Sequence, residues 1–134
     1  MWNKRLVTFN QAKLLKKLGF HEMTNHYGWG ENDHPFFCSG VCSDWNECKN
    51  FMSIPTVDEA IEWLQTKCKL NYLSTYSSDS NHEHQVTICW EDNSVVFCYS
   101  SNRYAAKRKA IAKMIRHYEN SKKKSIASTK RKGR

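Results

Sequence analysis

Apolar residues recur at helical spacing from Phe9 onward, with Phe9, Ala12, Leu15 and Leu18 on one stripe and Leu14 beside it. Lys13, Lys16 and Lys17 take the opposite side. Thr8 and Gln11 stand at the separation at which two side chains satisfy each other's free amides, and Gly19 supplies a left-handed stop. The pattern predicts a helix over 9–18. A second helix is announced at Thr56, with Glu59 completing another capping box and Asp58 and Glu59 at the positive end of the dipole. Its apolar face is Val57, Ala60, Ile61, Leu64 and Cys68, with Trp63 to the side.

The period then changes from helical to alternating. Residues 70–76 read as a strand, followed by a polar loop over 77–84. Val86, Ile88 and Trp90 alternate with Thr87, Cys89 and Glu91; Val95, Phe97 and Tyr99 alternate with Val96, Cys98 and Ser100. A two-residue turn at Asp92-Asn93 predicts pairing of Trp90 with Val95, Ile88 with Phe97 and Val86 with Tyr99. All six then share one buried face, and Cys89 and Cys98 become diagonal neighbours on the other. Asn102 caps a last helix whose core stripe is Tyr104, Ile111, Ile115 and Tyr118, flanked by Met114. Beyond Asn120 the chain is almost devoid of apolar residues, which predicts a disordered basic tail over 121–134. Residues 21–54 hold no sustained period and predict a long structured loop with a short strand at 36–38. The expectation is an α+β fold: one two-layer domain over 1–120, with a three-stranded antiparallel sheet packed by helices, and the tail.

Charge sharpens this picture. The 134 residues carry a net +8, but residues 102–134 hold thirteen Lys and Arg against the single acid Glu119, a net +12. The first 101 residues hold eight Lys and Arg against twelve acids, a net −4. A mildly acidic body thus bears a concentrated cationic end. Lys109, Lys113 and Arg116 form a stripe opposite the core face of the last helix. Arg103 and Lys107 precede them, and Lys122, Lys123, Lys124, Lys130, Arg131, Lys132 and Arg134 extend the charge. Such an arm tracks phosphates and releases their counterions, so the expected partner is DNA or RNA. The alternative partner is an acidic host or virion protein. No apolar run approaches the roughly 18–20 residues that cross a bilayer, and the opening segment lacks the apolar stretch of a signal peptide. The expected location is therefore the cytoplasm, with no membrane partner and the six cysteines as free thiols.

Chemistry beyond charge is sparse. His21, His26, His34, Cys38, Cys42 and Cys48 crowd one segment, but only Cys38 and Cys42 are spaced as a compact zinc pair, so the reading assigns no metal. There is no nucleophile elbow, P-loop or dinucleotide-binding glycine pattern, which predicts a non-enzymatic protein without a cofactor. Trp29, Phe36 and Trp45 in the irregular segment are candidate protein-contact residues.

Two resemblances extend these expectations. The stretches Val7-Thr8-Phe9-Asn10-Gln11-Ala12-Lys13 with Leu18-Gly19-Phe20, residues 55–64, and Tyr104-Ala105 with Ala110-Ile111 resemble small uncharacterised α+β proteins of phages and mobile elements from Bacteroidetes-type bacteria. That resemblance implies an accessory gene product, located in a host cell, with no assigned activity. Residues 55–119, with Asn102-Arg103-Tyr104-Ala105-Ala106-Lys107 opening the last helix and His82 and His84 in a strand loop, resemble a double-stranded RNA-binding domain. That second resemblance implies a minor-groove histidine and basic contacts at Arg103 and Lys107.

Overall fold

The computed structural model describes residues 3–29, 35–38, 43–78, 80 and 83–132, with the side chains of the last helix described to residue 124. Among the described residues, three α-helices and two antiparallel sheets make an α+β fold. Helix α1 spans Phe9–Lys17 and α2 spans Val57–Lys67, and both open on complete capping boxes: Thr8 with Gln11, and Thr56 with Glu59. Gly19 takes a φ of 96°, the left-handed conformation that closes α1.

The irregular segment folds into a sheet of its own. Strands β1 (His26–Trp29), β2 (Phe36–Phe37) and β3 (Phe51–Ser53) assemble in the order β2-β1-β3. A 3-10 turn at Trp45–Glu47 seats the buried Asn46 behind it. Asn46 donates to the Phe20 carbonyl at 2.7 Å and accepts from the Ser53 amide at 2.9 Å, so one amide side chain ties the small sheet to the end of α1. Gly28 lies where a β-carbon would sit 3.5 Å from Ile54 and Met52, close enough to bring the strand onto the core. The expected loop over 21–54 is thus replaced by paired strands, closed around the Tyr27, Phe36, Trp45 and Phe51 rings.

The second sheet follows α2: β4 (Leu70–Ser78), β5 (Glu83–Trp90) and β6 (Val95–Ser100), in that order. Helix α3 (Arg103–Lys132) returns across its inner face beside α2. Val86, Ile88 and Cys98 of the sheet meet Ala106, Ala110, Ile111, Met114 and Ile115 of α3 and Ile61 and Leu64 of α2 in one core. Trp63, at the side of the α2 stripe by periodicity, is buried edge-on against Phe20 at 5.2 Å and Tyr118 at 6.2 Å between ring centres. The segment before α1 is pinned to the start of α2, with the Val7 amide donating to the Pro55 carbonyl and the Val57 amide to the Arg5 carbonyl.

One expectation is corrected here. The β5–β6 hairpin pairs Cys89 with Val95, Ile88 with Val96, Thr87 with Phe97, Val86 with Cys98 and Gln85 with Tyr99, one residue out of the predicted register. The cause is the turn. The Asn93 amide bonds the Trp90 carbonyl, the Trp90 amide bonds the Ser94 carbonyl, and Asn93 takes a φ of 70°. That is a type I turn followed by one left-handed residue, a three-residue loop, whereas a two-residue loop would need two successive residues at positive φ. Val95, Phe97 and Tyr99 therefore point outward, and Cys89 and Cys98 lie on opposite faces. The α3 backbone continues past Asn120 to Lys132, through residues that the sequence reading assigns to the basic tail. No Gly or Pro interrupts residues 103–132, and Lys, Ala and Glu are strong helix formers.

Candidate nucleic-acid interface

Asn102 accepts from the Tyr104 amide at 2.8 Å and the Ala105 amide at 3.2 Å, which fixes where α3 begins and so which side chains face outward. At about 3.6 residues per turn, Lys109, Lys113, Arg116 and Lys123 fall within ~80° of one another around the axis. All four are exposed. Lys109 donates to the Tyr99 carbonyl at 2.7 Å, placing its ammonium on the edge of β6. Among the described residues, Lys113, Arg116, Lys123 and Lys124 have no carboxylate within ion-pair distance. Glu119 shares a surface hollow with Arg116 and Lys123, and a neighbouring one with Lys17, Lys122 and Lys123. One carboxylate leaves that region strongly positive.

The other predicted cations divide by environment. Lys107 pairs with Asp58 at 2.6 Å and is half-buried between α3 and α2. Lys122 donates to the Leu18 carbonyl at 3.2 Å and lies 4.8 Å over the Tyr118 ring. Both therefore contribute to packing between helices. Arg103 stands at the first turn of α3, its guanidinium 6.0 Å from the centre of the Tyr104 ring. Lys130, Arg131 and Lys132 continue the helix backbone, with side chains outside the described residues, as is the whole of Arg134.

A second cationic cluster was not legible. Lys4, Arg5 and Arg103 line a polar hollow of about 390 Å³ with His84, Ser101, Asn102 and Tyr104. Arg108 assembles it: its Nε donates to the Leu6 carbonyl at 3.0 Å and its terminal nitrogen to the Lys4 carbonyl at 2.5 Å. Burial pulls the Arg108 pKa below its ordinary value. The signal in the sequence was the pair Lys4-Arg5, which carries no information about a partner about 100 residues away.

The outer face of the β4–β5–β6 sheet is aromatic. Tyr72, Tyr76, Phe97 and Tyr99 are 52%, 60%, 53% and 59% exposed. Register places Tyr76 and Tyr99 on either side of Gln85, Ser74 and Phe97 on either side of Thr87, and Tyr72 and Val95 on either side of Cys89. The Phe97 and Tyr99 rings lie 6.2 Å apart at an interplanar angle of 25°. A hollow of about 410 Å³ opens between Tyr76 and Tyr99, reaching Glu83, His84, Ser100 and Ser101.

The predicted protein-contact residues are mostly engaged internally. Phe36 and Trp45 each stack with Tyr27, at 5.5 and 4.1 Å, and the Trp45 indole donates to the Thr24 carbonyl. Trp29 is exposed, backed by Phe51 at 6.3 Å. His84, expected in a loop by the RNA-binding resemblance, lies buried in β5; His82 falls outside the described residues. Among the described residues no group of three His, Cys, Asp or Glu could hold a metal; His34 and Cys42 lie outside them. His21 bonds Asp44 at 2.8 Å, and the His26 ring lies 4.9 Å from that of Phe37, tilted by 42°.

No protein-family model, curated protein or solved structure matches this chain. No helix among the described residues is long and apolar enough to cross a membrane. The site is therefore read from its own residues. It comprises exposed cations along one side of α3, a second cationic cluster at the helix start, and exposed aromatic side chains on the outer face of the β4–β5–β6 sheet.

Proposed function

We propose that this protein is a non-enzymatic accessory factor, of phage or mobile-element origin, that binds nucleic acid through the cationic face of α3. The observation that carries the reading is the row Lys109, Lys113, Arg116 and Lys123, exposed on one side of the helix and without a carboxylate partner among the described residues. Unneutralised cations held in a row bind phosphates by releasing condensed counterions, which makes affinity fall steeply with salt. Lys107 and Lys122 are excluded from the contact set because their charges serve helix packing. Lys124 adds a further exposed cation, and Lys130, Arg131, Lys132 and Arg134 follow it in the sequence.

Fluorescence anisotropy with labelled 20-nucleotide probes tests this. The protein binds at 50 mM salt and loses most of that affinity at 200 mM, and the variant Lys113→Glu/Arg116→Glu abolishes binding while keeping its circular dichroism. A folded protein that binds neither single strand nor duplex at 50 mM salt refutes the reading. A second reading, docking on an acidic host or virion protein, rests on the exposed indole of Trp29. A stoichiometric protein recovered after nuclease and high salt, and lost in Trp29→Ala, would favour it instead.

A further inference from the structure

We infer that the outer face of the β4–β5–β6 sheet is a stacking platform on which the bases of a single-stranded nucleic acid lie, an inference that rests on the nucleic-acid reading above. Four exposed aromatic rings on one sheet face form an apolar patch of the kind that soluble proteins otherwise cover. Two features choose a nucleic acid as the occupant over an apolar partner. First, the patch is rimmed by cations: Lys109 sits on the Tyr99 carbonyl at the β6 edge, and Lys4, Arg5 and Arg103 line the hollow that shares His84 and Ser101 with the one between Tyr76 and Tyr99. Among the described residues lining these two hollows, Glu83 is the acid. Second, the middle strand presents only Gln85, Thr87 and Cys89 between the aromatic borders, so the face is a shallow furrow rather than a dome. Its borders stand two strand spacings apart, about 10 Å.

A chain lying along that furrow places bases against the rings and phosphates toward the rim. Stacking on successive aromatics with cations tracking the backbone is the general mode of single-strand recognition, and it tolerates any base. A duplex has no free base faces to offer, so its binding uses the α3 cations alone. Gln85 donates its amide to Thr87 at 2.7 Å, which holds the furrow floor in place.

The test compares four probes at 50 mM salt: dT20, rU20, a 20-nucleotide abasic strand and a 20-base-pair duplex. The wild-type protein binds dT20 or rU20 at least tenfold more tightly than the abasic strand. The variant Tyr72→Ser/Tyr76→Ser/Phe97→Ser/Tyr99→Ser loses at least tenfold on the single strand and less than twofold on the duplex. Should that variant fail to fold, Tyr76→Ser/Tyr99→Ser and the abasic comparison carry the same decision. Equal binding of abasic and normal strands, or unchanged single-strand binding by the variants, overturns the platform. If Lys113→Glu/Arg116→Glu still abolishes binding in that case, the α3 reading survives alone. A wild-type dimer made monomeric by the serine variants, with dT20 binding unchanged, assigns the face to a second copy and also overturns it. Binding of no probe at all removes both readings together.

Discussion

Neutralising Lys113 and Arg116 together as glutamines separates counterion release from every other source of affinity. Glutamine keeps helix propensity close to that of lysine and arginine, so α3 is retained. Lys109 to Lys123 spans about 21 Å along the helix axis, about six nucleotides of one strand at ~3.4 Å each. If all four cations contact phosphates, log affinity for a single strand falls with log salt at a slope of about −2.8, taking ~0.7 per phosphate. Between 50 and 200 mM salt that is a loss of about fifty-fold. With two contacts removed the slope is about −1.4 and the loss about sevenfold. Anisotropy titrations of labelled dT20 at five salt concentrations measure the slope directly. An unchanged slope in the glutamine variant, whatever happens to affinity at one salt concentration, would refute the assignment of these two side chains to phosphates.

Other expectations follow from single residues. Asn46→Ala strands the Phe20 carbonyl and the Ser53 amide, both hydrogen-bonded to this side chain, and costs about 3 kcal/mol in urea unfolding. Asn93→Val forces a β-branched residue to a φ of 70° and lowers stability by about 2 kcal/mol, while Asn93→Gly does not. Burial holds His26 below its ordinary pKa of 6.5, only partly offset by Glu59. The unfolded chain takes that proton first, so stability is full above about pH 6.5 and declines as pH falls. His26→Gln removes this part of the decline in thermal melts between pH 7.5 and 5.5. Burial pushes the Cys68 thiol up to about 11 and raises that of Cys98, so alkylation at pH 8 followed by peptide mapping labels exposed Cys48 well before either.

What the sequence disclosed was local. The three helix starts were readable because Thr8, Thr56 and Asn102 act on amides two or three residues away. The small sheet was not, because strands of two to four residues carry too little alternation and β1 pairs with β3 across more than twenty residues. The cationic face of α3 was visible because helical spacing alone arranges it. The aromatic face was hidden by the turn. Two loop lengths at Asp92-Asn93 fit the alternation equally well, and choosing the shorter one sent Phe97 and Tyr99 inward. Lys4 and Arg5 come beside Arg103 through tertiary contacts, among them the Arg108 bond to the Lys4 carbonyl and the Val57 bond to the Arg5 carbonyl, which no short-range pattern encodes.

Strand β6 carries apolar side chains on both its sides, Val96 and Cys98 toward the interior and Val95, Phe97 and Tyr99 toward water. Its own composition is thus indifferent to which side is hidden, and a few bonds around Ser94 and Asp92 make the choice for it. Deleting a single codon there would turn the ribbon inside out with little loss of greasy area. A lineage can therefore gain or shed this display of rings in one step, without changing any residue of the ribbon itself.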